Sequence, residues 1–117
     1  MKVLFDHNVD RRFRRHLPGH DISTSRELRW ETLENGALLA SATAGGFEAV
    51  LTVDKKIRHQ QNLRQLPLAV VVLDAPSNAL PDLIPFAPFV QDLFKAPLRA
   101  ALYWVAPDGT VTLITIP

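Results

Sequence analysis

The chain has 117 residues, close to the commonest domain size, and 47% of them are apolar against 21% charged, the balance of one globular domain. Its formal net charge of +1 supplies no global attraction to nucleic acid or membranes, so any polyanion would have to meet a local patch. The absence of cysteine excludes disulfides and thiolate metal sites and agrees with a reducing, cytoplasmic setting.

The opening Lys2-Val-Leu-Phe-Asp6 is an apolar run that stops abruptly at polar residues, as a buried strand does. It turns polar too soon for a signal peptide. Residues 9–17 predict a helix, because Val9, Phe13 and Leu17 recur at i, i+4 and i+8. Arg11, Arg12, Arg14 and Arg15 fill its other positions, and Pro18-Gly19 ends it. Residues 20–25 alternate around Ile22 and predict a weaker strand. An Ala- and Leu-rich helix is expected over residues 32–43, closed by Gly45-Gly46. Residues 49–54 (AVLTVD) repeat the first theme, a strand finishing on an aspartate, and residues 55–63 predict a short polar helix.

Residues 68–74 (LAVVVLD) form the strongest buried strand. The apolar run there contains Pro67 and is far below the ~18 residues of a membrane span, so no membrane association is expected. Residues 80–94 read as a helix that Pro81, Pro85 and Pro88 delay or kink. A hairpin of residues 102–106 and 110–116, turning at Pro107-Asp108-Gly109, ends the chain. Strand–helix alternation predicts an α/β fold: a doubly wound, mainly parallel sheet of four to five strands with helices on both faces. One domain spans 1–117, with 99–117 as a C-terminal hairpin extension.

In the strand order 2-1-3-4-5 the first and third strands meet at the topological switch point, where ligands bind beyond the carboxyl ends. Asp6 and Asp54 end those two strands. Adjacent carboxylates call for a compensating cation, and a hard ion with oxygen ligands, Mg²⁺ or Mn²⁺, suits them. Each could equally cap the segment that follows it. Asn8 could hold a metal-bound water or cap the arginine-rich helix, and His7 has a solvated or backbone-bonded default. Arg11 and Arg12 after the first strand, with Lys55, Lys56 and Arg58 after the third, place positive charge beside the same crevice, where phosphate could bind. The alternative is two ordinary solvated faces.

The segments KVLFDHNVDRRFRRHLPGHDI, ENGALLASA and VLTVDKKIRHQQNL resemble the small PIN-like proteins of prokaryotes, over about residues 1–83. The Asp-X-Asn after the first strand and the Thr-X-Asp after the third carry the resemblance. It implies a PIN-like fold, a Mg²⁺- or Mn²⁺-assisted cut in single-stranded RNA, and an antitoxin partner. Asp6 and Asp54 match two acidic positions of that pattern as metal ligands and catalytic residues. At the acidic position opening the middle helix this chain has Asn35, with Glu34 beside it, and Lys56 stands where a further acid is common, so Glu34 or Asp74 would have to substitute for the missing acids. A second function class is a PIN-like module that holds RNA or a protein partner without cutting. A third is a receiver-like domain with Asp54 as phosphoacceptor, against which stands the lack of any lysine after Lys95. The apolar hairpin, with Tyr103 and Trp104, predicts a homodimer contact.

Overall fold

The computed structural model describes residues 1–60, 63 and 65–114. Its core is a six-stranded sheet in the order β2-β1-β3-β4-β5-β6. The strands are β1 (Lys2–Phe5), β2 (Asp21–Thr24), β3 (Ala49–Thr52), β4 (Ala69–Leu73), β5 (Leu102–Val105) and β6 (Val111–Ile114). β1 to β5 are parallel, and β6 returns antiparallel on β5. β1 lies between β2 and β3, so the first and third strands are neighbours, as the expected order requires.

Strand alternation divides the apolar side chains between two faces. Val3, Phe5, Leu51, Val71, Leu73 and Val105 meet one layer, built from Phe13 and Leu17 before β2 and from Leu83, Phe86 and Val90 before β5. Leu4, Val50, Val70, Val72 and Leu102 meet the other, built from Leu38, Leu39 and Ala42 of α1 (Asn35–Ala44) and from Ile57 of α2 (Ile57–Gln60). No helix among the described residues is long and apolar enough to cross a membrane.

Several boundaries differ from the expected ones for local reasons. The arginine-rich helix is a 3-10 helix, Arg11–His16, started by Asp10, whose carboxylate accepts from the Arg12 amide. The i→i+3 bonds Phe13 N to Asp10 O and Leu17 N to Arg14 O keep the wind tight. Val9, Phe13 and Leu17 are buried in the same core cluster, but only Phe13 lies in the helix, with Val9 before it and Leu17 after it. The helix expected over 80–94 is three pieces: α3 (Leu80–Leu83), a 3-10 turn (Ile84–Phe86) and α4 (Ala87–Leu93). Each piece has a proline in its first two positions, where a missing N–H costs nothing. Of the helix expected over 55–63, Ile57–Gln60 is formed, while residues 61, 62 and 64 lie outside the described residues.

The hairpin is no appendage. β5 pairs in parallel with β4 in register Val70–Leu102 to Leu73–Val105 and so completes the main sheet. The chain itself covers both faces of β5. Tyr103 is buried, with its hydroxyl accepting from the Arg99 amide at 3.0 Å. Trp104 is half-buried beneath the Arg58 guanidinium, 4.8 Å from its ring. Tyr103 is therefore closed to the expected contact with a second chain, and the exposed apolar side chains of the hairpin are Val111 and Leu113 on β6.

Candidate functional site

The carboxyl ends of β1 and β3 bring Asp6 and Thr52 into contact. Asp6 follows β1, and its amide donates to Leu51 O at 2.9 Å, which holds the residue against β3. Its side chain is almost wholly buried, at 2% exposure, so the carboxylate depends on protein donors. The His7 amide donates to Oδ1 at 2.8 Å, and His7 Nδ1 lies 2.9 Å from the same oxygen, a contact that places the ring proton on that nitrogen. The Thr52 hydroxyl donates to Oδ2 at 2.9 Å. A hydroxyl has one proton and two lone pairs. Thr52 Oγ1 uses a lone pair to accept from the Asp54 amide at 3.1 Å. One threonine thus bonds both the Asp6 carboxylate and the main-chain amide of Asp54.

The two aspartates have different roles in the fold. β3 ends at Thr52, so Asp54 lies two residues past the strand in the turn that starts α2. Its Oδ1 accepts from the Lys56 amide at 3.0 Å, the capping alternative foreseen for it. Asp6 caps nothing. Asn8 does not cap the arginine-rich helix either, because Asp10 holds that position. Asn8 Oδ1 lies 3.4 Å from Thr52 Oγ1 and 3.5 Å from Val53 N, at the outer edge of hydrogen bonding.

Glu34 is the N-cap residue of α1, exposed and without a side-chain capping bond, and Asn35 opens that helix. No bond joins Glu34 to Asp6 or Asp54. Asp74, the other acid that could have completed a set, is engaged by Lys55 Nζ at 2.9 Å. Arg58 lies over Trp104, and its Nε donates to His59 Nε2 at 3.2 Å. Lys55 and Arg58, expected beside the crevice, thus have structural partners at the β4–β5 side of the sheet.

Arg11 and Arg12 do reach the site. With Asp6, His7, Val9, Asp10, Thr24 and Arg26 they line a cleft of about 400 Å³ at the ends of β1 and β2. Arg12 closes on Asp10 through Nε at 3.1 Å and Nη2 at 2.7 Å, and this pairing holds the Asp10 carboxyl down at about 2. Arg14 forks onto both oxygens of Glu27 at 3.0 Å each and holds that carboxyl at about 2. Glu27 also accepts from the Thr24 amide at 2.8 Å, while its own amide donates to Thr24 Oγ1 at 3.1 Å. These are the reciprocal bonds of a capping box, here closing a turn and not starting a helix, and Thr24-Ser-Arg-Glu27 is its sequence signature. Arg26, inside that box, is a cleft residue that the sequence reading missed.

No family model, curated protein or solved structure matches this chain. The site therefore stands on its own chemistry.

Asp6, Asp54 and Asn8 offer the oxygen donors a hard cation prefers. Among the described residues, however, no group of three His, Cys, Asp or Glu side chains is placed to hold a metal ion. Mg²⁺ commonly binds through one or two carboxylates completed by substrate phosphate and water. Of Asp6, Asp54 and Asn8, Asp6 alone lines the cleft, so the residues present fit a cation completed largely by phosphate and water and do not fit a metal centre built from protein alone.

Proposed function

We propose that the chain is a PIN-like, doubly wound domain that takes single-stranded RNA at the Asp6 cleft and cuts it with the aid of Mg²⁺ or Mn²⁺. The observation that carries this reading is the buried Asp6 carboxylate, held by Thr52 at the junction of β1 and β3 and lining a cleft with three arginines. Ligands concentrate at this point of a parallel sheet. A buried carboxylate fixed by a hydroxyl and a backbone amide is preorganised, and the arginines provide the charge a phosphodiester needs. Asp6 and Asp54 would hold the cation together with an RNA phosphate. The ion would supply activated water and charge stabilisation at phosphorus.

A second reading, RNA binding without cutting, is favoured by the Lys56 amide on Asp54 Oδ1 and by Asn35 and Lys56 at positions where PIN-like nucleases carry acids. The deciding experiment incubates purified protein with single-stranded RNA and Mn²⁺, with and without chelator, beside Asp54→Asn. Cleavage that chelator and the substitution both abolish supports the nuclease. Binding without cleavage across several divalent metals supports the binding module. Neither binding nor cleavage removes RNA from the account.

A further inference from the structure

We propose that Arg11 and Arg26 form a two-armed clamp for a single phosphate of the RNA, while Arg12 and Arg14 maintain the walls around it. The inference rests on the RNA reading and divides the arginines of the site by what each already holds. Arg12 and Arg14 are closed in forked bonds on Asp10 and Glu27. Binding a phosphate through either would first break a charge-assisted pair. Arg11 and Arg26 are exposed, line the same cleft, and form no ion pair among the described residues. They reach the cleft from different elements, Arg11 from the start of the 3-10 helix and Arg26 from the turn after β2.

Both backbones are anchored, which favours a preformed site. Asp10, immediately before Arg11, caps the 3-10 helix. Arg26 sits between the reciprocal Thr24–Glu27 bonds, and its carbonyl accepts from the Arg29 amide at 3.0 Å. The Arg14–Glu27 fork ties this turn to the 3-10 helix, so the two arms hang from one braced unit.

The charge balance points to the same ligand. The cleft carries three arginines against Asp6 and Asp10. Arg12 is matched to Asp10, and the Asp6 carboxylate, whose bonded donors are a neutral amide and a hydroxyl, offsets one of the two remaining guanidinium charges. One positive charge is left over, the complement of one phosphodiester. Guanidinium groups suit it, since their planar forks match phosphate oxygens in pairs.

The test measures anisotropy of a labelled oligouridine over a range of salt with wild type, Arg11→Gln, Arg26→Gln, the double variant and Arg15→Gln. Arg15 is exposed on the same 3-10 helix and does not line the cleft. Each cleft variant is expected to weaken binding roughly tenfold, as loss of a charge-assisted bond does. The double variant should flatten the plot of log K against log salt by about 0.7, one phosphate on a single strand. Arg15→Gln should match wild type, and unchanged melting temperatures show that the exposed substitutions leave the fold intact. Wild type that binds RNA with cleft variants equal to Arg15→Gln overturns the clamp and leaves the RNA reading standing. Inorganic phosphate and tripolyphosphate supply the independent arm. If RNA does not bind but tripolyphosphate raises the melting temperature only when Arg11 and Arg26 are present, the clamp stands and RNA is the wrong ligand. No response to RNA or to either phosphate overturns both.

Discussion

The hydroxyl of Thr52 sits 2.9 Å from the buried Oδ2 of Asp6, on the adjacent strand, and is its sole bonded donor among the described residues. Removing it leaves that largely buried oxygen without a bonded protein donor. Thr52→Val keeps the shape and deletes the hydroxyl, so it should cost about 1–3 kcal/mol of stability. Thr52→Ser should retain most of it. Urea denaturation of the two variants checks the difference, and equal stabilities would show that the bond contributes nothing net.

Metal binding can be tested without substrate at the same pair. Mg²⁺ or Mn²⁺ should raise the melting temperature by mass action on the folded state. Asp54→Asn should abolish the rise at little cost, because asparagine caps a helix about as well as aspartate. Asp6→Asn should also abolish it but should melt lower. Mutual repulsion of two aspartates would have suggested the opposite. The Asp6 oxygens instead accept from the His7 amide and the Thr52 hydroxyl, and a neutral amide in their place loses the charge-assisted strength of both bonds. A metal response that survives in both variants would remove the cation from the site.

The Arg14–Glu27 fork predicts an acid-sensitive increment of stability. The Glu27 carboxyl is held at about 2, below its ordinary 4.5, chiefly by hydrogen bonds from Arg14. A depressed folded-state value means that the stabilisation is complete above about pH 5 and is lost as pH falls toward 2. Glu27 is 47% exposed and Arg14 35%, so solvent screening limits the contribution to about 1 kcal/mol or less. Chemical denaturation between pH 6 and about 3 should show wild type losing that increment while Glu27→Gln does not. Parallel pH profiles would assign the acid sensitivity to other carboxyls, with Asp10 the next candidate.

The strand order was readable because Lys2–Phe5, Ala49–Thr52 and Ala69–Leu73 are short apolar runs, each bounded by polar or turn residues. The placement of Asp6 beside β3 followed from that order. The i, i+4, i+8 spacing of Val9, Phe13 and Leu17 read as an α-helical face, yet only Phe13 lies within the 3-10 helix, and Val9 and Leu17 reach the same core from the segments that flank it. Composition could not show which charges are already matched. Residues 11–15 look uniformly basic, yet Arg12 and Arg14 are paired with Asp10, two residues away, and Glu27, across a turn. Lys55 and Arg58 looked like cleft residues for the same reason. Their partners, Asp74 and Trp104, become neighbours only when β4 and β5 align.

The turn between β5 and β6 supplies the last prediction. Gly109 has φ +90°, and a Cβ added there would lie 2.8 Å from Cε1 of Phe89 on α4. Gly109→Ala thus combines two penalties, a left-handed backbone that alanine disfavours and an overlap with an aromatic ring. Gly19 has nearly the same conformation, φ +87°, with nothing within 4 Å of an added Cβ, so Gly19→Ala isolates the backbone penalty. We expect about 1 kcal/mol for Gly19→Ala and about 1–3 kcal/mol more for Gly109→Ala. Shortening the ring should relieve the overlap. In a Phe89→Ala background the extra cost of Gly109→Ala should vanish, leaving the value measured at Gly19. Phe89 packs edge-on against Phe86, with ring centroids 6.3 Å apart, so its own loss must be subtracted by the double-mutant cycle. An excess cost that persists without the ring would place the strain in the turn itself and not in its packing on α4.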